Sequence, residues 1–261
     1  MVKCGRQSNA VTRQQVTWGV MVGIVVGAVG CGYPELPQLV GRDAADAADA
    51  AVSDGPPQFT SCMGLATTCG PGANENCCRA EAVMGGTFYR RYDGSTTYPD
   101  MGYPATVSEY VLDVYEVTVG RFRAFVNAGL GTQASPPTAG TGTHPRIAES
   151  GWDAGWNTNL TATTPDLVNR VKCNGTYQAW TDGIGGNENK AMNCVSWYEA
   201  MAFCIWDGGY LPTEAEWNYA ASGGDEQRAY PWSSPSTSTT IDCTYANYYI
   251  DNPAGCIVRM G

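Results

Sequence analysis

Two helix-start devices, the second beginning fourteen residues after the first ends, restrict this chain more than any other feature of it. Ser196-Trp197-Tyr198-Glu199 is a capping box: the serine hydroxyl accepts from the backbone N–H at Glu199, whose carboxylate reaches back to the backbone N–H of Ser196. The helix it starts is predicted to run to Asp207, where Gly208-Gly209 stops it. The device returns as Thr213-Glu214-Ala215-Glu216 and starts a second helix that Gly223-Gly224 ends. Two capped helices joined by Gly-Gly-Tyr-Leu-Pro make a compact corner. Upstream, Thr118 is placed to cap a helix whose buried face is Val119, Phe122, Phe125 and Val126, closed by Gly129. Val107 to Val117 reads as a strand, and Val83 to Tyr89 as a glycine-kinked turn into another. Residues 131–164 read as one long irregular excursion carrying Trp152 and Trp156.

Hydrophobic residues make up 43% of the 261, enough for a sizeable core, while charged residues reach only 15%. With 32 glycines, 15 tyrosines and 8 tryptophans, this is a loop-rich, aromatic-packed chain and not a helical bundle or coiled coil. A formal charge of −10 argues against nucleic acid and anionic membrane as electrostatic partners. There is one histidine, His144, so any mechanism that needs two is excluded. Neither a Gly-x-Ser-x-Gly elbow nor a Gly-x4-Gly-Lys phosphate loop is present. Glu214 and Glu216 stand two apart on a helix, about 200° around the axis, and cannot flank one bond; Glu216 is the cap.

The amino-terminal region reads as an address. Lys3, Arg6 and Arg13 precede an uncharged run from Trp18 to Val29, too short to span a bilayer and suited to a secretory leader over residues 1–30. Ala28-Val29-Gly30-Cys31 resembles a bacterial lipobox, which makes Cys31 the expected lipidated residue. Residues 31–60 hold three Asp-Ala-Ala repeats and Gly55-Pro56-Pro57, a tether too poor in large apolar side chains to order itself. These features predict a membrane-anchored lipoprotein of the cell envelope, facing the periplasm or the cell surface. Eleven cysteines agree with an oxidising compartment. Residues 61–80 form a knob in which Cys62, Cys69, Cys77 and Cys78 lack the spacing of zinc knuckles and are expected in two disulfides. Adjacent Cys77 and Cys78 must reach different partners. Cys173 with Cys194, and Cys243 with Cys256, are the further pairs expected.

The corner residues carry a resemblance. Val195-Ser196-Trp197-Tyr198-Glu199-Ala200 with Phe203-Cys204, then Gly208-Gly209-Tyr210-Leu211-Pro212-Thr213-Glu214-Ala215-Glu216-Trp217 and Tyr230-Pro231-Trp232, resemble the signature of formylglycine-generating enzymes, the sulfatase-modifying factors. Gly85-Gly86-Thr87-Phe88 and Tyr115-Glu116-Val117-Thr118, with Phe122 and Phe125-Val126, match that family's opening segments. The resemblance takes Ser196, Trp197, Glu199, Thr213, Glu216 and Trp217 as scaffold residues and covers Val83 to about Tyr249, the first two-thirds of the usual domain. It implies, for residues 81–261, an irregular α+β fold akin to a modified C-type lectin fold, incomplete at its C-terminus.

The activity it implies is copper-dependent oxidation by O2 of a sulfatase cysteine to formylglycine, with two C-terminal cysteines binding the copper; thiolates suit Cu(I) because both are soft. The chain departs there. Ile250 to Gly261 carry none of the later family segments, so no catalytic residue is assigned and the chain as it stands is expected to be inactive. In the family the cysteine equivalent to Cys204 pairs with one in that later segment, so Cys204 is expected to be left over. Calcium is implied at Asn247, through its side chain, and at the Tyr248 carbonyl, both hard oxygen donors; the alternative is a loop Asn bonded to its own backbone. The implied partner is a sulfatase or another envelope protein. The other reading of the same scaffold is a non-catalytic surface binding module.

Overall fold

The computed structural model describes residues 2–7, 59–90, 101–241 and 245. Its first sheet has the order β1 (Gly5–Gln7), β5 (Tyr110–Asp113), β2 (Ala80–Val83), all antiparallel. Gly5 stands opposite Leu112 on one edge of β5, and Ala80 opposite Asp113 on the other. A separate ribbon pairs β3 (Gly86–Tyr89) with β4 (Pro104–Val107). The expected strand over 107–117 is therefore two strands in two sheets. Val107 and Tyr110 both lie in one apolar cluster, 5% and 1% exposed. A continuous strand would aim residues three apart at opposite faces, so the chain has to turn at Ser108-Glu109.

Helix α1 (Val119–Asn127) is capped by Thr118, whose hydroxyl accepts from Arg121 N, and Gly129 follows with φ +73°. Helices α3 (Trp197–Trp206) and α4 (Glu214–Ala221) carry both expected capping boxes. Gly208 and Gly223 take the left-handed conformation just past their ends, which favours glycine. The irregular excursion contains more order than expected: a 3-10 turn at Ala154–Asn159, and helix α2 (Thr164–Arg170) at its end. The box of α2 uses Thr163 with Asp166, and Pro165 sits in its first turn.

The main core gathers Phe122, Phe125 and Val126 of α1, Phe203 of α3, Leu167, Met192 and Trp152. Phe203 stacks on Phe122 at 5.8 Å and meets Phe125 edge-on at 5.6 Å. A second core places Phe88, Tyr110 and Leu112 against Tyr219 of α4.

Residues 2–7 pack within the domain. Val2 and Cys4 are 4% and 0% exposed in the main core, and β1 runs between β5 and Tyr210. Lys3 donates to the Val114 carbonyl, and Arg6 to the buried carboxylates of Asp113 and Asp207. Cys204, expected to be left over, is bridged to Cys4. The remaining bridges join Cys62 to Cys78, Cys69 to Cys77 and Cys173 to Cys194. Cys31, the apolar run, the Asp-Ala-Ala tether, Cys243, Asn247, Tyr248 and Cys256 lie outside the described residues.

Candidate functional site around the start of helix α4

The corner between α3 and α4 is held by Glu216, which does more than cap. Its Oε2 accepts from Thr213 N at 2.9 Å and from Thr213 Oγ1 at 3.0 Å, the local part that the sequence encodes. Its Oε1 accepts from Tyr210 Oη at 2.9 Å and lies 2.9 Å from His144 Nε2. His144 Nδ1 accepts from the backbone N–H of Arg146, which fixes the other ring nitrogen as the protonated one, donating to Glu216. Tyr110 donates from across the second core to the Glu216 backbone carbonyl at 2.6 Å. Burial, then the Glu216 charge, pushes both Tyr110 and Tyr210 well above the usual phenol range, so both stay neutral donors. The carboxylate is 5% exposed and has all four of its hydrogen bonds made. It is a bolt, with no lone pair left for proton transfer.

This bolt forms one wall of a cleft of about 260 Å³ between Thr106–Glu109, the His144–Ile147 loop and α4. On the other side of His144 a second cleft of about 260 Å³ is floored by Met201, Leu211 and Pro212, with Ile147 and Trp197 at its rim. Ile147 and Trp197 are 46% and 51% exposed. Trp197 is braced edge-on by Trp156 and Tyr198, each at 5.2 Å, so its exposed ring is held in place by packing. The clefts combine these apolar side chains with polar and charged ones, Glu109 and Arg146 in the first, Ser150 and Glu214 in the second.

Of the residues singled out from sequence, Ser196 and Glu199 form their box, with Ser196 N donating to Glu199 Oε2 at 2.8 Å, and Glu199 also pairs with Arg170 of α2 at 3.3 Å. Trp217, 40% exposed, lies on the outer face of α4. His144 and Tyr210 were missed as partners of Glu216. They stand 72 and 6 positions away, and no spacing rule connects a loop histidine to a helix cap.

The cysteines set a chemical limit. Four bridges take up Cys4, Cys62, Cys69, Cys77, Cys78, Cys173, Cys194 and Cys204. Among the described residues no cysteine is left as a thiolate, and no three His, Cys, Asp or Glu side chains converge on one point. The described residues do not fit a dithiolate copper site.

A disulfide-stapled, irregular α+β domain with two capped helices at a rigid corner is the class that fold and site define. Residues 68–255 match the model of the sulfatase-modifying factor enzyme 1-like domain, and the chain belongs to that family. It is 32% identical over 165 residues to a formylglycine-generating enzyme of Thermomonospora curvata, an alignment covering 60% of this chain and 52% of that protein. It is 27% identical over 229 residues to the formylglycine-generating enzyme of Mus musculus, covering 80% of this chain and 54% of that one. A 38-residue stretch is 55% identical to an inactive Cα-formylglycine-generating enzyme 2 of Bos taurus, over 15% of this chain and 13% of that one. The chain spans about half the length of the first two relatives. No solved structure matches it.

Proposed function

We propose that this chain is a sulfatase-modifying-factor-like domain that engages an extended segment of a partner polypeptide in an oxidising compartment, and that residues 1–261 do not themselves oxidise a cysteine to formylglycine. The observation that carries the reading is the family match over residues 68–255, with its signature folded into the α3–α4 corner. The clefts on either side of His144 supply the docking surface, and a sulfatase or another envelope protein supplies the segment. The family's lectin-like scaffold is compatible with the mixture of short strands, capped helices and long loops. Oxidation of a thiol by O2 through copper needs two soft thiolates held ready for the metal, and every described cysteine is committed to a bridge.

The test uses a Cys-x-Pro-x-Arg peptide with the purified chain, Cu(I) and O2, followed by mass spectrometry for the aldehyde, and fluorescence anisotropy for binding. The expected result is binding that weakens with Trp197→Ala, and no mass change. Copper-dependent turnover lost in Cys243→Ser or Cys256→Ser would overturn the second half of the reading. Absence of any binding would overturn the first.

A further inference from the structure

Strand β1 is joined to the domain as a ligand would be. The hydrogen bonds of Lys3, Cys4 and Arg6 that involve a side chain reach partners 107 to 201 positions away. On one edge it pairs with Tyr110–Leu112 of β5; on the other, Gly5 exchanges two backbone hydrogen bonds with Tyr210, both 2.9 Å. Val117 N donates to the Val2 carbonyl at 2.7 Å, and Lys3 Nζ to the Val114 carbonyl at 2.6 Å. Arg6 reaches Asp113 at 2.5 Å and Asp207 at 2.7 Å while its guanidinium lies 3.7 Å over the Phe59 ring. The slot is therefore keyed at each position: an apolar side chain, a lysine, a cysteine opposite Cys204, a glycine where a Cβ would meet the Tyr210 ring at 3.0 Å, and an arginine.

The arginine key answers two buried carboxylates. Asp113 and Asp207 are 1% and 2% exposed and share Arg121, itself 0% exposed. Two buried carboxylates with one guanidinium would keep an uncompensated charge, so an empty slot is strongly disfavoured. A segment that enters by such contacts makes the same ones whichever chain it belongs to, which is the physical basis of strand exchange.

We propose that this slot is a strand-acceptor site, and that its partner in trans is residues 2–7 of a second copy of the chain, so that two copies exchange β1 strands and are locked by two Cys4–Cys204 bridges. The inference does not rest on the enzymatic reading. Closing each bridge oxidises two thiols, and a disulfide oxidant such as glutathione disulfide takes up the two electrons and two protons.

The test mixes two full-length variants in a glutathione buffer, Cys4→Ser, which keeps the acceptor Cys204, and Cys204→Ser, which keeps the donor Cys4. Neither can close the bridge within itself. The expected result is a disulfide-linked heterodimer whose non-reduced peptide map contains Cys4 joined to Cys204. Adding Arg6→Ala to the donor chain should lower its yield at least tenfold, whereas Arg6→Lys should lower it less. Each variant is first mapped for its three other bridges. The same question is asked of the wild-type fold by adding a labelled Val-Lys-Cys-Gly-Arg-Gln peptide and following its covalent capture at Cys204 in the glutathione buffer. A mixture without the Cys4–Cys204 peptide, no capture of the labelled segment, or cross-linking indifferent to Arg6→Ala would overturn the proposal.

Discussion

Replacing Glu216 by glutamine tests the bolt at the α3–α4 corner with almost no change of volume. The carboxylate accepts from Thr213 N, Thr213 Oγ1, Tyr210 Oη and His144 Nε2. An amide offers one oxygen and one NH2, and neither orientation satisfies all four. With NH2 toward Thr213, the Thr213 backbone N–H faces another donor. With NH2 toward His144, the ring can accept only by moving its proton to Nδ1, and that nitrogen already accepts from Arg146 N. One buried donor is therefore left unmet, at about 1–3 kcal/mol. The remaining bonds also lose their charge assistance, which makes neutral ones roughly half as strong. Together the expected loss is about 2–4 kcal/mol of unfolding free energy, read by urea titration without reductant. Glu214→Gln, on the exposed side of the same helix turn, is the control and should stay within about 0.5 kcal/mol. His144→Phe should cost less than Glu216→Gln, and the two together less than their sum, since they share one bond. A Glu216→Gln protein as stable as the Glu214→Gln control would refute the reasoning.

Removing Arg121, by Arg121→Met, should destabilise the chain by about 3–5 kcal/mol, because Asp113 and Asp207 keep their charges with only Arg6 between them; equilibrium unfolding measures it. Tyr110 and Tyr210 hold their protons more tightly in the fold than their ordinary value of 10.0, so the native state binds more protons above pH 10. Their contribution is complete below pH 10 and falls as pH rises beyond it, by about 1.4 kcal/mol per pH unit for each tyrosine. Tyr210→Phe should reduce that alkaline slope relative to wild type; an unchanged slope would show that the phenol is not the linked group. Peptide mapping of the mature protein without reductant should recover Cys4 joined to Cys204, and a mature chain beginning at Cys31 would contradict the place of β1 in the core.

The parts of this fold that were legible in the sequence are those whose physics is local. A capping box closes within four residues, so Ser196–Glu199 and Thr213–Glu216 announce their helices without knowledge of the rest. Helix α2 escaped because its box substitutes Asp166 for the usual Glu or Gln inside a Pro- and Thr-rich stretch that reads as loop. Strand β1 was hidden more deeply. Lys3 and Arg6 read as a positive leading segment, and their acceptors Val114, Asp113 and Asp207 lie 107 to 201 positions away, beyond the reach of any spacing rule. The His144–Glu216 contact was invisible for the same reason.

The polar residues at the ends of α3 and α4 explain how a domain with two small sheets stays organised. Asp207, just past the end of α3, accepts from Arg6, Arg121 and the Ser61 backbone, and so ties β1, α1 and the cysteine knob to one point. Glu199 at the start of α3 reaches Arg170 of α2. Glu216 near the start of α4 ties the His144 loop and, through Tyr110, β5. Glu199 and Glu216 also serve their own helix N-termini, whose free N–H groups need partners in any case, whereas the Asp207 carboxylate, at a C-terminal end that disfavours an anion, is held by Arg6 and Arg121. Strands of three or four residues cannot fix long loops by pairing alone, so the loops are fixed where they cross a helix end. It follows that exposed changes along the loops, such as at Ile184, which is 83% exposed, should matter little to stability. Changes at the three carboxylates should be felt in segments remote from one another in the chain.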